Sequence, residues 1–273
     1  MTIKTRNRLN ISLFVFSIVY LAVTVLFLLL LLYNKTLLSS LNTFVEQSDK
    51  GTFLTKYNPL IVLISLYFQI IYVCATSFTL FRVFEKTQAY DIPYLFLFLI
   101  ALIANSFRIW VPLFNMSGTY SGLMLFCGNS ILFSKLLVPT SLLFSVVMSG
   151  VEQRQDLEKN IFILILGCLF FAQLLPLNTA NICRNFEIDY SYRNVIKITS
   201  ILIVFATLIA LFFNNRQRFY TQRTTIGLAL ICIGTFILFN SINILKLAFS
   251  FILLLTGNIL YLKELHKQYL WND

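Results

Sequence analysis

The strongest constraint in this chain is a ruler. From Ile11 to Tyr33 the sequence runs 23 residues without a charge, and about 20 helical residues at 1.5 Å each cross a hydrocarbon layer of about 30 Å. Comparable apolar runs follow, so that spans fall near 11–33, 59–81, 93–114, 121–148, 160–178, 195–214, 224–240 and 244–262. Composition closes off the alternatives. Of 273 residues 58% are hydrophobic and only 12% charged, against about 25% charged in an average soluble domain. Too few polar residues exist to coat a water-soluble exterior of this size. The fold class this implies is all-α, a polytopic transmembrane helical bundle of eight spans forming a single integral membrane domain over 1–273.

The least certain cut is the last one. Thr224 to Leu262 is 39 residues, too long for one crossing and just long enough for two. Asn240-Ser241-Ile242-Asn243 is its only cluster of turn formers. A chain that does not turn there has seven spans. At the other end, Lys4, Arg6 and Arg8 precede the first run. That run is longer than the apolar region of a cleavable signal and exits without a small-residue cleavage site, which marks it as a retained span.

Lysine and arginine set the side of each loop. With eight spans and the N-terminus inside, twelve basic residues fall on inner segments and at most seven on outer ones. The loop Arg216-Gln217-Arg218 with Arg223 is the sharpest contributor. Both termini are therefore expected in the cytoplasm. The net charge of +10 fits basic inner loops facing anionic headgroups. It does not indicate nucleic acid, because no basic run is interleaved with stacking aromatics. Tyr33, Tyr57, Tyr90, Tyr94, Trp110, Tyr120, Tyr220, Tyr261 and Trp271 lie near span ends and read as an interfacial aromatic belt.

Two outer loops stand out. Asn34–Asn58 carries Leu37, Leu38, Leu41, Phe44 and Val45 at helical spacing, the pattern of a short helix lying on the membrane surface. Thr179–Asn194 carries Arg184, Glu187, Asp189 and Arg193. Charges on short extracytoplasmic loops are usually solvated, so Glu46, Asp49, Lys50, Glu187 and Asp189 are expected on an exposed surface without a catalytic role.

Within the spans, ionisable residues are the default functional candidates. Lys197 and Lys246 fall just inside span ends, and two lie well inside, Arg108 and Lys135. Ala101, Ala104, Asn105 and Arg108 share one helical stripe, a face suited to packing against other helices. Arg108 has a second reading, in which its side chain snorkels to the nearby span end. Lys135 sits nearer mid-span, on the side of Gly128, with Pro139 one turn later and a kink expected there. No aspartate, glutamate or histidine falls inside the spans as drawn. Proton and sodium coupling normally need such groups at depth, whereas a buried cation without a counter-ion calls for an anion. Lys135, Arg108 and Asn105 are accordingly the candidate ligand-binding residues.

Catalytic and metal signatures are missing. No G-x-S-x-G, H-E-x-x-H, phosphate loop or dinucleotide fingerprint occurs. His266 is the only histidine and the five cysteines show no C-x-x-C spacing, so neither a cofactor, a metal site nor a catalytic set is expected. Arg82-Val-Phe-Glu-Lys-Thr87, followed by Asp91-Ile-Pro93 running into a Phe/Leu-rich span, resembles a pattern in multi-span proteins of spirochaete bacteria that have no assigned activity. The resemblance covers about 30 residues and implies a bacterial inner membrane. Together these readings point to a membrane-embedded sensor or binding protein for a small or lipidic anion, partnered by membrane lipids and by a membrane or cytoplasmic effector protein. The rival class is a transporter or channel component, or a structural subunit of a membrane complex.

Overall fold

A computed structural model describes residues 3–33, 56–85, 91–113, 121–149, 157–216 and 221–270. Among these, eight helices are long and apolar enough to cross a membrane: α1 (Ile3–Tyr33), α2 (Pro59–Phe84), α3 (Asp91–Ser106), α4 (Ser121–Ser149), α5 (Leu157–Leu174), α6 (Arg193–Arg216), α7 (Gln222–Phe239) and α8 (Ile244–Leu270). The third crossing continues beyond α3 through a 3₁₀ turn, Phe107–Ile109, and a final turn, Trp110–Leu113. The protein is an integral membrane protein built as an all-α bundle. The chain does turn at Asn240–Asn243, where Asn240 N and Ser241 N donate back to Ile237 O and Leu238 O, so the count is eight and not seven.

Four helices form the centre and four the periphery. In the most apolar stretch of α3, 78% of residues are buried, against 17% for α1, α5 and α6. Peripheral faces present Leu, Ile, Val and Phe to the surroundings, as on α6 at Ile198, Leu202 and Phe205. In lipid this inverts the soluble pattern, because polar groups gain by turning inward to find partners. Helix α1 shows it plainly. Its buried residues are Arg6, Asn10, Leu13, Ser17, Tyr20 and Thr24, a repeat of alternating four and three that keeps one face on a neighbour. Along that face Asn10 Nδ2 donates to Ser77 O at 3.4 Å, Cys74 Sγ lies 3.2 Å from Ser17 Oγ, and Tyr67 Oη donates to Thr24 O at 2.9 Å.

The α7–α8 seam is closed by backbone contact. A Cβ on Gly227 would stand 2.7 Å from Tyr261 N, and one on Gly257 would stand 2.8 Å from Gly227 O. Only glycine permits that approach. The Gly118–Gly122 spacing plays no such part at Gly122, whose surroundings are open to 4 Å; Gly118 lies outside the described residues. Tyr57, Tyr94 and Tyr261 are buried, so these three pack inside the bundle and do not belong to an aromatic belt, whereas Tyr33 is 86% exposed. The surface helix expected around 37–45, together with Glu46, Asp49 and Lys50, lies outside the described residues.

The fifth crossing ends at Leu174, short of 178, because Pro176 cannot continue a helix hydrogen-bond ladder. The segment that follows is not a solvated loop. It is a hairpin of β1 (Leu177–Ile182) and β2 (Ile188–Tyr190), antiparallel, with Leu177 opposite Tyr190, Asn178 opposite Asp189, and a register shift before Ile182 meets Ile188. Helix α6 starts directly after it.

Candidate functional site

The hairpin folds back into one end of the bundle. Its turn is closed by Phe186 N donating to Cys183 O at 3.0 Å and Cys183 N donating to Glu187 O at 2.7 Å. Phe186 takes the left-handed conformation, φ 62°, which a non-glycine residue adopts at a cost of about 1–2 kcal/mol. Burial offsets it. Phe186 and Ile188 are fully enclosed in an apolar cluster with Val62, Leu66, Ile109 and Met124. On the flank of α4 the glycine at 128 makes room, since a Cβ there would stand 2.7 Å from Leu177 Cδ1. Tyr57 braces the turn by donating from Oη to Arg184 O at 2.7 Å. Burial pushes its hydroxyl up to about 12, with Arg184 opposing the shift, so it remains a donor.

Glu187 stands between the left-handed Phe186 and the first residue of β2; Phe186 and Ile188 enter the apolar cluster, while the Glu187 side chain goes to charged groups and is buried to 1% exposure. There it meets three cations. Arg108 NH1 lies 3.2 Å from Oε1, Lys135 Nζ lies 2.7 Å from Oε2, and Arg193 NH2 lies 3.7 Å from the same Oε2. Lys135 Nζ also donates to Tyr190 Oη at 3.0 Å. Lys135 is halfway along α4, about 21 Å of helix from Ser121 at 1.5 Å per residue, so the hairpin carries a carboxylate well into the bundle. Irregular backbone at that depth is tolerated because protein surrounds it.

Two prolines shape the cations' positions. Pro139 has no N–H for the Lys135 carbonyl one turn earlier; the Ser200 hydroxyl of α6, bonded within its own helix to Ile196 O at 2.8 Å, approaches that carbonyl to 3.5 Å. Pro112 stands in the same relation to Arg108, which lies in the 3₁₀ turn interrupting the third crossing. Arg108 and Lys135 thus each sit one turn before a proline, where the helix ladder lacks a donor.

Burial alone would raise the Glu187 carboxyl, but Lys135 and Arg108 beside it hold it below the usual carboxylate range. It is ionised, and one negative charge faces three positive ones. Asp189, two residues on, takes no part in these ion pairs among the described residues. Cys183 accepts a contact from Arg193 NH1 at 3.1 Å. Burial raises its thiol despite that neighbour, so it lacks the depressed pKa of a reactive cysteine.

The sequence candidates fare differently. Lys135 and Arg108 come together at Glu187. Arg108 is 1% exposed, so it does not snorkel; its Nε has no hydrogen-bond partner among the described residues. Asn105, one turn before Arg108, donates from Nδ2 to Gln69 Oε1 at 2.8 Å and accepts from Ser134 Oγ at 3.4 Å. It links α2, α3 and α4 beneath the charged cluster. Glu187 is the residue the sequence reading placed wrongly: it is buried, not exposed, and it supplies the acid that the spans lack. Among the described residues no group of three His, Cys, Asp or Glu could hold a metal ion.

Beside the cluster lies a cavity of about 250 Å³ between α4, α6 and α7. Lys135, Tyr190, Arg193 and Lys197 line one part of it, and Leu142, Val204 and Phe236 another. No protein-family model matches the chain, and no curated protein and no solved structure does.

Proposed function

We propose that this chain is a membrane-embedded binding protein, acting as a sensor, whose ligand is a small or lipidic anion received at Lys135 and Arg193. The observation that carries this reading is the imbalance of charge. Glu187 neutralises one of three converging cations, and Lys135 and Arg193 line a cavity, Lys135 15% and Arg193 47% exposed; the low-dielectric surroundings of Lys135 strengthen its attraction for an anion. Orientation by planar guanidinium and ammonium donors is the chemistry that carboxylates and phosphates are held by. Expected first is that inorganic phosphate raises the thermal unfolding midpoint of the purified protein, since any ligand of the native state does so by mass action. Combining Lys135→Met with Arg193→Gln should abolish that rise. A midpoint indifferent to phosphate, and to sulfate and acetate, would end the reading.

The proposal includes a place: a bacterial inner membrane, both termini cytoplasmic, the hairpin facing outward. The basic bias of the loops supports it. So does the way Arg6 donates to Phe84 O while the ring of His266 packs against the Phe84 ring, which brings both ends of the described chain to one end of the bundle. In intact cells an impermeant thiol reagent should label Asp49→Cys and spare Gln217→Cys. The reverse pattern would invert the protein.

A further inference from the structure

The cavity beside Lys135 is graded along the bundle axis, and the gradient says what kind of anion fits. On α6 the lining runs Arg193, Lys197, Ser200, Val204, one stripe at intervals of four, three and four that descends about 16 Å. On α4 it runs from Lys135 past Val138 to Leu142, about 10 Å. On α7, whose chain direction is opposite, Asn240 stands at the hairpin end and Phe236 and Cys232 lie deeper. Ile196 and Phe239 also line the upper part and Thr235 the deep part, but every charged group of the lining stands at the hairpin end and the deep walls of α4 and α6 are apolar. A free inorganic anion would use only the upper part and leave the apolar floor in contact with nothing of its kind.

We propose that the ligand is a single-chain anionic amphiphile, with its carboxylate or phosphate head at Lys135 and Arg193 and its hydrocarbon chain in the cavity between α4, α6 and α7. This rests on the anion-binding reading above and narrows it to a ligand class. Lys135 Nζ and Arg193 NH2 both reach the same oxygen of Glu187, which places the two cationic heads near enough for one anionic head to touch both. Arg108 stays with the other oxygen, so Glu187 keeps a partner while the head binds. Volume decides the number of chains. An apolar cavity of about 150 Å³ holds one benzene, and 250 Å³ accommodates a stretch of one hydrocarbon chain, not two side by side. Leu142, Cys232 and Phe239 are buried and Val204 half-buried, giving that stretch apolar walls on three helices.

The test uses the full chain in nanodiscs of phosphatidylcholine, with a palmitate carrying a photoreactive diazirine near the middle of its chain. Illumination should attach it to residues 138–142 of α4 or 232–239 of α7. Excess lysophosphatidate should suppress the attachment by about tenfold or more, a difference set by head binding, while a monoacylglycerol of the same chain, which lacks the charge, should not. Val204→Trp, which fills the floor without touching an ion pair, should remove the attachment and leave the phosphate-induced rise in unfolding midpoint intact. If inorganic phosphate at equal concentration competes as well as lysophosphatidate, the chain contributes nothing: the anion reading stands and the amphiphile is refuted. Equal competition by monoacylglycerol would refute it too, because the cations would then be bystanders. Absence of both competition and any phosphate effect on the midpoint would remove the anion reading with it.

Discussion

Two carboxylates in this protein gather basic partners, and they stand at opposite ends of the bundle. Glu187 is enclosed, with Arg108 as buried as itself and Lys135 nearly so. Glu264, on α8, meets Arg223 at 3.2 Å and Lys267 at 3.4 Å, but those cations are 69% and 51% exposed. The distances are alike and the physics is not. At the Glu264 end water solvates each cation, screens the attraction, and takes over when a partner is removed. At the Glu187 end little water reaches Glu187, Arg108 or Lys135, so these three depend on one another, whereas Arg193, 47% exposed, is solvated as the Glu264 partners are. Similar geometry at the two ends thus yields a surface ornament in one place and a structural obligation in the other.

The largest expected effect breaks that contrast if it fails. Glu187→Ala leaves Arg108 and Lys135 buried against each other without an anion, and removing one member of a buried ionic set costs about 3–5 kcal/mol. The unfolding midpoint should fall steeply, and the hairpin should become sensitive to protease. Glu264→Ala should leave the midpoint close to wild type. Equal losses at both positions would mean that burial is not what separates the two clusters.

Next in size is Lys135→Met. If Lys135 had no counter-ion, its removal would be neutral or stabilising, because an unpaired lysine at mid-span costs about 2.5–3.5 kcal/mol on insertion scales. Paired with Glu187 at 2.7 Å and with Tyr190, its loss should instead cost about 1.5–3 kcal/mol, the range for hydrogen bonds to charged groups. The sign of the change in midpoint is the readout, and a gain in stability would mean the ion pair is a net burden.

How much of this was legible in the sequence follows from what periodicity and length can carry. The eight crossings rest on length and hydropathy, which the bilayer dictates directly, and the cut at Asn240–Asn243 rests on turn chemistry. Lys135 and Arg108 were visible because a charge inside an apolar run has no cheap explanation. Glu187 was hidden because a short loop between spans defaults to water, and only tertiary packing brings it inward. One signal did point to it: Phe186, Ile188 and Tyr190 alternate with Glu187 and Asp189, the period of a half-buried strand. Two cations at depth with no acid in any span called for an anion, which the sequence reading sought in a ligand and not in a neighbouring loop. Pro112 and Pro139, each four residues beyond a cation, are a second trace of the same site.

Acid sharpens the comparison with a smaller effect. The Glu187 carboxyl titrates below its ordinary value in the folded protein. Its contribution is therefore complete above the unfolded carboxylate pKa, 4.5, and is lost as the pH falls beneath that value through the depressed one. Stability measured from pH 7 downward should hold its Glu187 share until below about pH 4.5 and then decline. In Glu187→Gln this part of the decline should be absent, the variant starting lower and changing less over the same interval. Parallel curves for the two proteins would show that Glu187 titrates normally and that its cations do not hold it ionised.

The smallest effect concerns the hinge between the hairpin and α6. Among the described residues two other than glycine take the left-handed conformation, Phe186 with φ 62° and Tyr192 with φ 59°. Each bears the same backbone penalty of about 1–2 kcal/mol, yet they differ as the two carboxylates do. Phe186 is wholly buried and Tyr192 is 68% exposed. Glycine at 186 would relieve the backbone but empty a core position, where deleting a phenylalanine side chain costs about 3–5 kcal/mol. Glycine at 192 relieves the backbone and forfeits little packing. Its added freedom in the unfolded chain takes back part of the gain. Tyr192→Gly should therefore raise stability by about 0.5–1 kcal/mol, with the Tyr192 O to Ile196 N bond at 3.1 Å preserved, while Phe186→Gly lowers it. A loss at 192 of the same sign as at 186 would show that the exposed tyrosine ring is itself anchored, as aromatic side chains are at a membrane surface.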